Sequence, residues 1–227
     1  MDKTKSDYSY RFDSKPDFSF LTVQVAANQT VKVEASAMAA MTANMKMKTK
    51  MKGGLGRLIT GESLFINDFT ADGGAGEISI APGSPGDMDH VYLDSEVLFL
   101  QNSAFVAASP GVVVESKWQG LVKGFFSGES LFLIRCSGKG DLWFNTFGAM
   151  IEIDVNGSYV VDTSYIVAFT EGLTYKVGAV GGYKSLFLSG EGLVCRFSGT
   201  GKLWIQTRQI PAFGSWVFPF RRQKSKN

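Results

Sequence analysis

One phrase is written three times along this chain, and it constrains the fold more than any other feature. It reads Gly61-Glu62-Ser63-Leu64-Phe65, Gly128-Glu129-Ser130-Leu131-Phe132 and Gly190-Glu191-Gly192-Leu193-Val194. Each copy leads through an apolar stretch to paired glycines: Gly74 and Gly76, Gly138 and Gly140, Gly199 and Gly201. The chain then leaves through Glu77-Ile78-Ser79-Ile80, Asp141-Leu142-Trp143-Phe144 or Lys202-Leu203-Trp204-Ile205. Two strand-like runs around glycines that supply positive φ predict a β-hairpin in each copy.

A second marker moves in step with the first. Ser36, Ser103 and Ser164 each precede small or apolar residues and stand 67 and 61 positions apart (36, 103, 164). The Gly-Glu copies stand 67 and 62 apart (61, 128, 190). The spacing predicts three tandem units, about residues 20–85, 86–147 and 148–210. Such a period is too long for a short solenoid repeat and suits three β-meanders around one core. The expectation is an all-β, sandwich- or barrel-like domain over 18–210 with pseudo-threefold symmetry, a polar segment 1–17 before it and an aromatic, basic tail 211–227 after it. Asn156-Gly157 predicts a further hairpin turn between Ile151–Ile153 and Tyr159–Val161.

Composition excludes several classes. No long stretch has helical periodicity, and 18 Phe among 44% hydrophobic residues supply a core. A net charge of +2 gives no strong field for nucleic acid, which is an unlikely partner on this ground without being excluded. No apolar run reaches the length of a membrane-spanning helix. The N-terminus has no apolar signal core, which points to a cytoplasmic chain. Cys136 and Cys195 lie in apolar runs without metal-ligand spacing and read as small buried hydrophobes.

Few residues carry a chemical signal. His90 is the sole histidine, too little for a histidine-rich metal centre or a Ser/His/Asp set, and reads as an ordinary strand or loop residue. Gly53-Gly54-Leu55-Gly56 lacks the lysine and strand-to-helix setting of a phosphate loop, and reads as a turn or bulge. Glu62, Glu129 and Glu191 would converge near an axis under threefold symmetry, yet Gly-Glu at each copy (Gly61, Gly128, Gly190) also serves as a strand-entry turn. Repetition favours the structural reading, so no catalytic residue, cofactor or metal is assigned.

Two features break the repeat. In Met45-Lys46-Met47-Lys48-Thr49-Lys50-Met51-Lys52 a strand would place the methionines on one face and Lys46, Lys48, Lys50 and Lys52 on the other. The row reads as a solvated, edge-protecting face or as a ridge for an anionic partner. In the tail, Phe213, Trp216, Phe218 and Phe220 stand beside Arg221, Arg222 and Lys224. That combination suits a membrane interface, and equally packing against the domain or an oligomer. Pro211 and Pro219 argue against a continuous amphipathic helix there. These lysines, aromatics and arginines form the candidate interaction surface, with an anionic membrane, an unidentified protein or a second copy as partner.

The hairpins also carry a resemblance. Arg57-Leu58-Ile59-Thr60 leading into Gly61–Phe65, the Pro85-Gly86 turn, Ala104-Phe105-Val106-Ala107, and Gly190-Glu191-Gly192 with Gly199-Thr200-Gly201 resemble the Aim family, named for altered inheritance of mitochondria. That family is classed in the superfamily of the tryptophan RNA-binding attenuation protein (TRAP). The resemblance spans roughly residues 20–210. It implies a β-sandwich or barrel of pseudo-threefold meanders, no established enzymatic activity, and a scaffold or interaction role. The mitochondrial member is linked to inner-membrane organisation and respiratory-complex assembly; bacterial members are largely uncharacterised. Remote kinship to the attenuation protein also suggests an RNA- or small-ligand-binding module, with Trp118, Trp143 and Trp204 as base-stacking candidates, although core packing explains such aromatics as well.

Overall fold

The computed structural model describes residues 1–50, 66–117, 133–180 and 193–221. Gly61, Glu62, Gly128, Glu129, Gly190 and Glu191 lie outside the described residues, as do Gly53–Gly56. The described chain is antiparallel β-structure throughout, closed by one short helix.

Strands β1 (Ser9–Asp13), β2 (Phe20–Val25), β3 (Thr30–Glu34), β4 (Met38–Met41), β5 (Met45–Lys50), β6 (Ile66–Ala71) and β7 (Gly76–Ile80) come first. Next are β8 (Met88–Asp94), β9 (Leu98–Gln101), β10 (Phe105–Ala108), β11 (Val112–Lys117) and β12 (Leu133–Asn145). Last are β13 (Met150–Asp162), β14 (Ile166–Thr170), β15 (Leu173–Ala179), β16 (Leu193–Gln206) and helix α1 (Ile210–Val217). Alternation sets the faces: Leu21, Val23 and Val25 of β2 are buried while Gln24 is exposed, and Val31 and Val33 of β3 are buried around Lys32.

The same pairings recur. β7 lies between β2 and β4, the second half of β12 between β8 and β10, and the second half of β16 between β13 and β14. β6 lies between β3 and β5, the first half of β12 between β9 and β11, and the first half of β16 between β13 and β15. Neighbouring units are joined edge to edge, β10 on β3 and β14 on β9.

Three buried clusters follow this order. One gathers Leu21, Val33, Phe69, Ile78 and Trp143; one gathers Leu98, Leu100, Phe105, Phe144 and Trp204; one gathers Phe169, Cys195, Phe197 and Leu203. Trp143 and Trp204 are fully buried, so neither presents a face to a nucleic-acid base; Trp118 lies outside the described residues.

Three expected turns are corrected. Gly73 and Gly74 do separate β6 from β7, but Gly138 and Gly140 lie inside β12, and Gly199 and Gly201 inside β16. One long strand there performs the work of β6 and β7 together. The positive φ is real, at +103° for Gly138 and +125° for Gly199. It bends a continuous strand where two backbones meet: a Cβ on Gly138 would stand 2.4 Å from the Gly111 carbonyl oxygen, and one on Gly199 2.3 Å from that of Gly172. Likewise Asn156-Gly157 does not turn the chain. β13 runs on through Gly157, with φ +111°, because β16 pairs with it along its whole length.

The polar residues set apart at 1–17 pack onto all three units. β1 pairs with β2, the Lys3 ammonium bridges Asp89 and Glu152 at 2.5 Å each, and the Tyr8 hydroxyl donates to the Thr30 carbonyl at 2.6 Å.

Candidate functional site

The chain leaves β16 and turns into α1. Pro211 is tolerated there because the first helical turn needs no donor from it, and the helix stops at Val217, two residues short of Pro219. The prolines therefore shorten the helix to eight residues instead of preventing it. No residue of α1 or of the following 3₁₀ turn, Phe218–Phe220, is buried. Phe213 is 46% exposed, Trp216 66%, Phe218 55% and Phe220 76%.

Phe213, Trp216 and Phe220 lie in a chain of ring contacts. Phe213 touches the body of the protein through the edge of Phe147, ring centres 5.4 Å apart. Trp216 lies 6.0 Å from Phe213 and 5.7 Å from Phe220, and the Arg221 guanidinium sits 3.6 Å from the centre of the Phe218 ring. Arg222 and Lys224 lie outside the described residues.

The lysine row occupies an edge. Among the described residues β5 pairs with β6 alone, with Lys46 opposite Thr70 and Lys48 opposite Asp68. Lys46 and Lys48 are exposed, and neither forms an ion pair among the described residues. Lys50 ends the strand, and Lys52 lies outside the described residues. Met45 is buried as the alternation requires, but Met47, on the same face and opposite Phe69, is 54% exposed. Row and tail are not brought together: β5 ends the large sheet on one side, whereas α1 follows β16 near the other.

A third cluster was not read from the sequence. Asp141 of β12 is wholly buried and accepts from four donors. These are the His90 Nε2 at 2.7 Å, the Ser6 hydroxyl at 2.7 Å, the Asp7 backbone N–H at 2.9 Å and the Ser109 hydroxyl at 3.2 Å. Burial pushes this carboxyl up, but the bonds from His90, Ser6 and the Asp7 amide outweigh it and hold the group below its ordinary value. The His90 ring lies between Tyr10 and Trp143, at 4.7 and 5.4 Å, and its Nδ1 is buried without a hydrogen-bond partner.

Ser109 and His90 each bond the carboxylate between them, so this is not a nucleophile with its base. The arrangement ties the N-terminal segment to β8, β10 and β12. An open cleft of about 860 Å³ lies alongside, lined by Asp7, Tyr8, Thr30, Asp68, Ser109 and Lys139 among others. The available sequence signal was a break in the repeat, since Lys202 stands in unit three where Asp141 stands in unit two.

No group of three His, Cys, Asp or Glu fit to hold a metal occurs among the described residues. Cys136 and Cys195 are free and buried, and burial pushes both thiols up to about 12. No described helix is long and apolar enough to cross a membrane.

Comparison with known proteins gives the chain its relatives. The model of the family described as mitochondrial biogenesis AIM24 matches residues 10–208. An uncharacterized protein of Streptococcus pyogenes serotype M6, M6_Spy0233, is 27% identical over 217 residues, covering 90% of this chain and 87% of that protein. The crystal structure of protein SPYM3_0169 from Streptococcus pyogenes, a structural genomics target, superposes with a TM-score of 0.80 at 25% identity, covering 94% of this chain and 100% of that one.

Proposed function

Because this chain belongs to the mitochondrial biogenesis AIM24 family, we propose that it is a non-enzymatic interaction protein, cytoplasmic and membrane-peripheral, that helps to organise assemblies at an anionic membrane surface. The observation that carries this reading is the exposed tail. Trp216, Phe218 and Phe220 keep most of their area in water and Phe213 nearly half, and Arg221 stands over Phe218. Aromatic rings beside a guanidinium suit the headgroup boundary, where rings leave water and the cation meets phosphate. The lysines of β5 supply a second cationic surface for such a partner.

The RNA-binding alternative loses support, since two of its three tryptophans are core residues.

Flotation with vesicles tests the reading. The full chain should float with phosphatidylserine-containing vesicles and not with phosphatidylcholine alone, and a chain truncated before Ala212 should not float. One basic residue near an anionic surface is worth about 1 kcal/mol, so Arg221→Ala should weaken binding about fivefold at low salt. Equal flotation of full and truncated chains would remove the tail from the mechanism.

A further inference from the structure

We propose that copies of this protein join head to tail, with β4 of one chain adding to the free edge of β13 in the next. The joint would repeat the one that already links the three units within each chain. β10 pairs with β7's counterpart β12 on one side and with β3 of the preceding unit on the other. β14 pairs with β16 on one side and with β9 on the other. Among the described residues β4 pairs with β7 only, and Ser158–Val161 of β13 pair with β16 only. The first unit therefore lacks the neighbour that β10 and β14 have, and the last lacks the neighbour that β3 and β9 have.

The two open edges show what the joints bury. Across the internal joints Ala107, Ala108, Val33, Ala168, Phe169, Leu98 and Leu100 are buried, while Lys32, Phe99 and Thr170 are half-buried. At the open edges Met41 is 42% exposed, Tyr159 40% and Val160 47%. Neither edge is guarded. Among the described residues β5, β11 and β15 also pair on one side only, and they carry Lys46 and Lys48, Glu115, and Lys176. Charges on an edge discourage further strand addition. Met38-Ala39-Ala40-Met41 and Ser158-Tyr159-Val160-Val161 carry none.

The register follows from equivalence. Ala40, Ala107 and Ala168 hold the same place, opposite Ser79, Trp143 and Trp204. Val33, Leu100 and Val161 do likewise, opposite Asn67, Ile134 and Cys195. Ala107 faces Val33 and Ala168 faces Leu100, so Ala40 should face Val161 in the neighbouring copy, with Met41 facing its Val160. The two edges differ, so the contact is heterologous and builds a ring or a filament.

The test combines mass and cross-linking. Size-exclusion chromatography with light scattering should give multiples of the 24.7 kDa chain. Met41→Lys and Val160→Lys, both at exposed positions, should each reduce the mass to that of one chain with an unchanged circular dichroism spectrum. A mixture of Met41→Cys and Val160→Cys chains should form a mixed disulfide under mild oxidation, and neither chain alone should do so. Buried Cys136 and Cys195 do not compete. A single-chain mass at every concentration overturns the proposal. So does a Val160→Cys chain that cross-links to itself as readily, or a double-cysteine chain that closes internally while staying monomeric.

Discussion

At the scale of single residues, two carboxyls show burial working in opposite directions. Asp141 is surrounded by donors and its pKa is depressed, so its contribution to stability is present above the unfolded value and is lost as pH falls through the folded one. Asp141→Asn removes the charge that four donors address and turns one acceptor into a donor. It should destabilise the protein by about 2–4 kcal/mol in urea unfolding, and amide exchange at Asp7 and Tyr8 should lose protection. Glu34, at the end of β3, has no such partners among the described residues, and burial raises its carboxyl to about 7. The folded state holds that proton more tightly than the unfolded chain does. Stability therefore falls as pH rises from the ordinary glutamate value to about 7, and is flat beyond. The side chain keeps some contact with water, which discounts the effect. Glu34→Gln should gain about 1–2 kcal/mol at pH 8 and nothing at pH 4, as thermal unfolding at the two pH values would show.

Elements divide the readable from the hidden. Alternation in Phe20–Val25 and Thr30–Glu34 was legible because a half-buried strand writes its period into the residues. The repeat was legible too, through serines and glycines that keep their spacing. The path at Gly138 and Gly199 was not, because a glycine states that positive φ is allowed without saying whether the chain turns back or bends and continues. What decides is the partner strand: β13 and β16 pair across 13 residues, so no hairpin interrupts them. This reading separates two substitutions. Gly157→Ala, at φ +111° with open space around a Cβ, should cost only the conformational penalty of about 1 kcal/mol. Gly138→Ala adds a Cβ 2.4 Å from the Gly111 carbonyl oxygen, a backbone atom that cannot turn aside. It should cost at least about 3 kcal/mol, and equal urea midpoints for the two variants would show that the crossing backbones are not held so closely.

For the whole molecule the two termini have opposite roles, although both look polar or irregular in the sequence. Residues 1–8 bind every unit: the Met1 amino group pairs with Glu96, Asp2 bridges Tyr92, Lys3 spans Asp89 and Glu152, and Tyr8 reaches Thr30. No local pattern announces this, because the partners lie 22 to 149 positions away and ion pairs leave no period. The helix and 3₁₀ turn of the tail, Ile210–Phe220, instead bury none of their residues, and Phe213 meets the body at Phe147. Stability should follow contact and not hydrophobicity. Deleting residues 1–7 removes two of the four donors to Asp141 together with the ion pairs, a loss of about 2–3 kcal/mol that should lower Tm by about 5–10 °C in a chain of this size. Truncation before Ala212 removes Phe213, Trp216, Phe218 and Phe220, yet should move Tm by less than about 2 °C, because Phe213 alone of these rings packs on the body, at Phe147, and the other three are mostly in water. Calorimetry on the two truncations decides. A large drop for the aromatic tail would mean that its rings are covered in the native assembly, and the membrane would then have to compete with that cover.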